Sequence, residues 1–233
     1  MTSKTSARNV IVVGAGLSGL ATALGAALLG HPVTVLEAAD MVGGAAAYSG
    51  GQVWVGANHV AARQGIDDDL ARAERYVRAL AQAKPEFLDE TAMRRWLQVS
   101  PGAMRYWEDI GAVRWTVIPG LIDYHPDADG ALGVGRYLTA DVVDGTVLGE
   151  WRRRLRVSPY FPVGTTYAEM AVTGRRVNDR DGIGTEDRLT FGTGLVASFL
   201  ARVLREQNVR LQVGHRVTEL LRGDGGGGDR GAG

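Results

Sequence analysis

The 233-residue sequence contains no cysteine. That absence removes a disulfide framework, a thiolate metal site and a catalytic thiol together. Net charge is missing too: 26 Lys+Arg stand against 26 Asp+Glu, so no bulk field draws the chain to nucleic acid or to an anionic membrane. No His, Asp and Glu spacing reads as a metal site, and no G-x-S-x-G or Ser/His/Asp pattern reads as a hydrolase. A long apolar span is present only in outline. Val10 to Gly30 carries no charge, but it contains Gly14, Gly16, Gly19, Gly25 and Gly30, much of the rest is alanine, and it runs into a β-branched stretch. Neither a signal peptide nor stable membrane insertion is expected from such a segment. What remains is 45% AVILMFWYC with 22% charged residues, which can build one sizeable core, or one large and one small. A globular, cytoplasmic protein is expected.

Glycine is the residue in excess, at 33, and its distribution carries the first functional signal. Asn9 to Val13 is a short β-rich run, of the kind expected for a parallel strand buried on both faces. It leads into Gly14-Ala15-Gly16-Leu17-Ser18-Gly19, a complete G-x-G-x-x-G. A helix is predicted from about Leu17 to Leu29, capped at Gly30. Val33 to Leu36 reads as a second strand, closed by Glu37, 18 residues beyond Gly19. Each part serves a dinucleotide: Gly14 for the tight turn, Gly16 for close approach of a diphosphate, Gly19 for helix–strand packing. The helix N-terminus, opening at Leu17 and Ser18, offers free N–H groups to the pyrophosphate. Glu37 is placed to accept hydrogen bonds from the ribose hydroxyls.

FAD and NAD share this half-site. A second cluster after Glu37, Gly43-Gly44-Ala45-Ala46-Ala47-Tyr48-Ser49-Gly50-Gly51, favours FAD, because small residues let the backbone lie along a long ligand toward the flavin ring. A flexible surface loop is the plainer reading of the same residues.

The fingerprint, Glu37 and the segment from Gly43 to Trp54 resemble the N-terminal end of the fumarate reductase/succinate dehydrogenase flavoprotein class, and within it the 3-ketosteroid 1-dehydrogenase branch. Ile122-Asp123-Tyr124-His125-Pro126 with Gly135-Arg136 is similar to that branch's "PDYY…GR" segment, with Ile122 and His125 as departures. The resemblance implies an α/β fold: a Rossmann-like parallel-sheet FAD-binding domain, incomplete here, with an inserted, mainly helical α+β capping region. It implies non-covalent FAD, since no His lies between Gly43 and Gly51, with Gly14, Gly16, Leu17, Ser18, Gly19, Glu37, Gly43, Gly44, Ala45, Ala47, Tyr48, Ser49, Gly50 and Gly51 around it. Tyr124 falls on an active-site tyrosine. Thr193 to Gln207 is predicted helical from Leu195, Phe199, Val203 and Leu204, and Val209 to Val213 as the third parallel strand. Val217 then matches a residue whose backbone touches the adenine, although a core valine at a strand start explains it equally well.

The organisation expected is a βαβ unit over residues 1–60, part of a substrate or capping domain over 61–187, a return to the FAD-binding domain over 188–221, and a flexible glycine-rich tail over 222–233. Members of the class are much longer, so a premature end or a reading-frame slip is expected. In the middle, Asp67 or Asp68 is expected to cap a helix bearing Leu70, Ala73, Val77 and Leu80 on one face, with Glu74 and Arg78 paired. Pro85 is expected to start a second helix, and Ser100-Pro101 a third that ends at Gly111. Val113 to Val117 alternates like a strand, and Asp123 to Gly135 reads as loop. Arg152, Arg153, Arg154 and Arg156 read as a solvated face before an anion site.

The reaction implied by the resemblance removes two hydrogens across a carbon–carbon bond next to a ketone, with hydride passing to the flavin N5. A bulky cyclic ketone or steroid would be the substrate and an unassigned electron acceptor the second partner. Tyr124 is the candidate in the acid/base apparatus, against the plainer reading of a packed loop aromatic. The class's partner tyrosine and carbonyl-polarising groups lie in later segments, so this chain is expected to turn over slowly or not at all. A flavin reductase of activated alkenes and a non-catalytic dinucleotide-binding fragment are the competing readings.

Overall fold

The computed structural model describes residues 9–161, 164–174 and 187–221; the glycine-rich tail lies outside them. Strand β1 (Val10–Val13), helix α1 (Leu17–Leu28) and strand β2 (Val33–Leu36) form the expected βαβ unit, with β1 and β2 parallel. After β2 come the short strand β3 (Val53–Trp54) and helices α2 (His59–Arg63), α3 (Leu70–Ala81) and α4 (Glu90–Asp109). Strands β4 (Trp115–Val117), β5 (Tyr137–Ala140) and β6 (Val143–Asp144) follow. Helix α5 (Tyr167–Thr173), strand β7 (Arg188–Leu189), helix α6 (Phe191–Val203) and strand β8 (Val209–Gln212) complete the order.

β1, β2 and β8 form a parallel sheet in that order, with Val33 opposite both Val10 and Val209. The third parallel strand therefore falls where the sequence placed it. α1 and α6 lie on one face, burying Leu20, Ala23 and Leu24 against Val12, Val33 and Val35. The other face differs from expectation. Ile11 and Val13 are each 60% exposed, so β1 is a strand buried on one side, at a sheet edge. An apolar run shows that a strand tolerates burial on both faces, and only the packing of other elements decides whether it receives it.

A second sheet is antiparallel, β3-β5-β4, and β6 pairs with β7. Its inward residues Trp115, Val117 and Leu138 join the α1/α6 cluster in one hydrophobic core that runs through residues 12 to 203. A satellite cluster, Ala73, Met93 and Leu97, sits between α3 and α4.

Several local expectations change. Asp69 caps α3 by accepting the Arg72 N–H at 2.7 Å, while Asp68 turns inward to another partner. Leu70 and Leu80 are about two-fifths exposed and Ala73 and Tyr76 form the buried stripe; Glu74 and Arg78 pair at 2.8 Å as expected. Pro85 opens only a 3-10 turn, Pro85–Phe87. Asp89 caps the next helix, which continues through Pro101 to Asp109. The Ser100 hydroxyl has no hydrogen-bond partner and so caps nothing. Met93, Leu97 and Met104 are buried along this one helix, and that shared stripe outweighs the backbone bond lost at proline. α6 begins two residues before Thr193 and ends at Val203. Arg153 and Arg154 are exposed, as a solvated face requires, but Arg156 turns onto Tyr48. Among the described residues, no helix is long and apolar enough to cross a membrane, and no group of three or more His, Asp or Glu is placed to hold a metal.

Candidate active site and cofactor groove

At the end of β1 the chain turns at Gly14, φ +97, and the Gly14 N–H donates to the Leu36 carbonyl at 2.8 Å. α1 starts immediately, its first backbone bond running from the Leu20 N–H to the Gly16 carbonyl at 3.0 Å. The N–H groups of Leu17, Ser18 and Gly19 have no intrahelical acceptor and carry the positive end of the helix dipole. A Cβ on Gly19 would stand 1.9 Å from the Gly14 carbonyl oxygen, so glycine is what lets helix and turn meet.

The second glycine cluster lies alongside. Gly43 bridges to Gly16, and its N–H donates to the Ala15 carbonyl at 2.9 Å. A cavity of about 440 Å³ opens between the two, lined by Gly14, Gly16, Leu17, Ser18, Gly19 and Ala45, among others. The free helix-end donors, the missing side chains and the open cradle fit the diphosphate of a dinucleotide.

Glu37 borders this turn and works on the protein itself. One carboxylate oxygen accepts the Ala15 N–H and the other the Ala39 N–H, both at 2.8 Å. A carboxylate has about four lone-pair sites, so each oxygen keeps capacity for a ribose hydroxyl. After β8, the N–H groups of Gly214 and His215 donate to the carbonyls of Ala39 and Glu37. The exit that carries half-buried Val217 thus begins beside Glu37.

The remaining cluster residues divide. Gly44 (φ +54) follows the bridge at Gly43. Ala47 is fully buried and its carbonyl accepts from the Thr193 hydroxyl at 3.2 Å, so its side chain faces the core and not the groove. The Tyr48 phenol oxygen accepts from Arg156 at 2.7 Å, with the guanidinium 5.4 Å from the ring centre. The Ser49 hydroxyl bonds the Ala46 carbonyl and the Gly51 N–H, which closes the loop that bears Gly50 and Gly51.

Tyr124 reaches the far end of this loop. It is 64% exposed, its ring stacks on Tyr137 at 5.1 Å, and its phenol donates to the Gln52 side-chain oxygen at 3.3 Å. The Tyr124 loop is held from below by a buried cluster that the sequence motif did not explain. Arg136, 1% exposed, donates to both oxygens of Asp68 at 2.7 and 2.9 Å and to Asp123 at 2.8 Å. Asp123 also accepts the Trp54 indole N–H at 2.7 Å and the Leu132 N–H at 2.9 Å. The guanidinium lies over the rings of Trp54 and Tyr76. Gly135-Arg136 was visible as a motif, but nothing local shows that Arg136 and Asp123 meet in the interior.

Above this cluster is an aromatic cavity of about 370 Å³ walled by Trp54, Tyr76, Trp96, Tyr124 and Tyr137. Trp54 stacks on Tyr76 and on Trp96 at 5.9 and 5.5 Å. Burial pushes the Tyr137 phenol up to about 12, reinforced by Tyr124, Tyr76 and Asp123, and burial also raises Tyr76. A larger polar cavity of about 880 Å³, bordered by Glu108, Arg114 and Asp141, shares no residue with the groove or the aromatic cavity.

Comparison with known proteins agrees with this groove. The profile of the FAD binding domain family matches residues 9–232. The chain is 31% identical over 206 residues to 4-oxocyclohexanecarboxylate 2-dehydrogenase of Sinomonas cyclohexanicum, covering 86% of this chain and 35% of that protein. It is 30% identical over 141 residues to 3-oxosteroid 1-dehydrogenase of Mycolicibacterium smegmatis, covering 60% and 24%. The crystal structure of 3-ketosteroid delta1-dehydrogenase from Sterolibacterium denitrificans, in complex with 1,4-androstadiene-3,17-dione, has the same fold, with a TM-score of 0.71 at 24% identity over 88% of this chain and 40% of that one. The chain spans about a third or less of the length of these curated relatives. It belongs to the FAD binding domain family, in the flavoprotein class that its sequence resembles, with non-covalent FAD as its cofactor.

Proposed function

We propose that this chain carries the cofactor groove and the candidate acid/base tyrosine of a flavin-dependent dehydrogenase that removes two hydrogens next to the ketone of a bulky cyclic substrate. One observation carries the reading: Tyr124 stands between the aromatic cavity and Gln52, the residue that follows Gly50-Gly51. Bound along the glycine clusters, FAD supplies the two-electron acceptor that no side chain provides. Gly14 to Gly19 and Glu37 would hold its diphosphate and ribose, Val217 would meet the adenine, and Gly43 to Gly51 would line the ring. Residues 61–187 supply the substrate side, and the polypeptide returns to the cofactor over 188–221.

The aromatic walls seat an alicyclic body by burying apolar surface, at roughly 25 cal/mol per Å². Trp54 is fixed there by its bond to Asp123, so the cavity loses little freedom on binding. Tyr124 contributes its O–H to the proton transfers that accompany loss of the α-hydrogen. The names of the Sinomonas and Mycolicibacterium relatives, with an oxocyclohexane and a 3-oxosteroid as substrates, support a cyclic ketone.

The test is anaerobic mixing of the FAD-loaded chain with 4-oxocyclohexanecarboxylate and, separately, with a saturated-ring 3-ketosteroid. A slow, single reduction of the flavin band, which needs no steady turnover, is expected, slowed further by about a hundredfold in Tyr124→Phe. No bleaching with either ketone, or equal rates for the variant, overturns the reading. Reoxidation of pre-reduced flavin by the unsaturated ketone, without bleaching in the forward direction, would identify an alkene reductase instead.

A further inference from the structure

The loop of residues 49–52 is locked from behind by groups outside both glycine motifs. Tyr167, which opens α5, donates its phenol O–H to the Gly50 carbonyl at 2.8 Å. A Cβ on Gly50 would stand 2.5 Å from that phenol oxygen, so this approach requires glycine. Gly51 turns at φ +66, and a Cβ there would stand 2.5 Å from the Phe191 carbonyl carbon. Phe191 itself holds φ +55, a left-handed conformation that strains a bulky residue. Packing keeps it there. Phe191 is 2% exposed, meets the Tyr167 ring edge-on at 4.9 Å, and has Phe161 beside it at 5.6 Å. The next N–H, of Gly192, donates to the Ser49 carbonyl at 3.1 Å.

Burial pushes the Tyr167 phenol up to about 12, so at neutral pH it stays a donor. Two residues after Gly50, the Gln52 side-chain oxygen takes the Tyr124 phenol. The half-buried Tyr167 ring therefore holds the Gly50 peptide two residues from Gln52, which meets Tyr124.

We propose that Tyr167, backed by Phe191, is a positioning residue that holds the Gly50-Gly51 peptide in the shape that receives the ring end of FAD. This rests on the reading of residues 43–51 as flavin-lining. A loop with two adjacent glycines has much freedom to lose, and fixing it beforehand removes that ordering from the binding equilibrium.

FAD affinity and the shape of the visible flavin band are measured for the full chain, Tyr167→Phe, Gly50→Ala and the double variant. Tyr167→Phe keeps the ring on Phe191 and deletes only the O–H; about tenfold weaker binding and an altered band are expected. Gly50→Ala drives a methyl into the phenol oxygen and weakens binding at least as much. The double variant removes clash and bond together, so its loss is smaller than the product of the single losses. Should Tyr167→Phe not fold, Phe191→Leu, which keeps the phenol and removes its aromatic backing, weakens FAD binding in the same direction.

Simple multiplication of the losses, or Tyr167→Phe and Phe191→Leu binding FAD within about twofold of the parent, overturns the proposal. Failure of the parent chain to bind FAD overturns it as well, because a loop already held in shape needs no further part to receive the ring. Gly44→Val separates this inference from its premise. If that variant binds FAD normally, residues 43–51 do not line the flavin. If it loses FAD while Tyr167→Phe does not, only the bracing role falls.

Discussion

Glycine 19 shows how much can rest on one missing methyl. With its Cβ position 1.9 Å from the Gly14 carbonyl oxygen, Gly19→Ala must push α1 off the turn. A loss of about 1–3 kcal/mol is expected, together with loss of FAD binding, read by thermal denaturation and flavin fluorescence. Glu37 permits a finer dissection, because its two oxygens brace the Ala15 and Ala39 N–H groups. Glu37→Ala is expected to weaken FAD retention about a hundredfold. Glu37→Gln keeps one acceptor and is expected to lose roughly tenfold. Equal retention by all three proteins in a desalting assay would remove Glu37 from the ribose role. Arg136 sits between two buried carboxylates, so Arg136→Met leaves both charges without their cation. A loss of about 3–5 kcal/mol in urea denaturation is expected, and Asp68→Asn added to that variant should recover part of it.

At the scale of elements, α4 is the informative case. A proline inside a helix removes one backbone bond and crowds the carbonyl four residues back, at roughly 3 kcal/mol in a free helix. α4 nevertheless runs unbroken over 20 residues because Met93, Leu97 and Met104 are buried along it. Pro101→Ala is therefore expected to stabilise the protein by about 1–3 kcal/mol, seen as a melting temperature several degrees higher. An unchanged or lower melting temperature would show that the proline sets a bend the packing needs. β1 makes the complementary point. Its sequence is apolar throughout, but Ile11 and Val13 are each 60% exposed, and Val12 is buried with Val10 packed partly against the core.

Across the whole molecule, Glu108 at the end of α4 joins elements distant in sequence. It accepts from His59 at 2.7 Å and Arg63 at 3.0 Å on α2, and from the Trp115 N–H at 3.1 Å on β4. Burial alone would raise its carboxyl, but these donors outweigh it and hold the group at about 2, against the usual 4.5. A carboxyl depressed in the folded state stabilises at pH above its unfolded value, and that contribution fades as pH falls from about 4.5 toward 2. Roughly 3 kcal/mol is at stake. Glu169, held by Arg188 at about 2, acts in the same direction. Urea unfolding is expected to weaken steadily over that pH window. Glu108→Gln should lose stability at neutral pH and flatten the acid dependence; an unaltered pH profile would contradict the role given to Glu108.

Sequence alone determined what depends on neighbours along the chain. G-x-G-x-x-G between two β-rich runs forces a strand–turn–helix, because only glycine turns at Gly14 and only glycine packs at Gly19. Glu37 at a strand end, and the alternation of Val209 to Val213, were legible for the same local reason. Tertiary structure decided what depends on meetings between distant segments. Arg136 with Asp68 and Asp123, Tyr167 over Gly50, and Tyr124 at Gln52 join positions 13 to 117 residues apart. No local pattern specifies such partners, because a charge or a phenol is satisfied by whatever the packed core brings to it. For the same reason, the sequence offered Gly50 and Gly51 as flavin-lining backbone but gave no sign of their contacts with Tyr167 and Phe191.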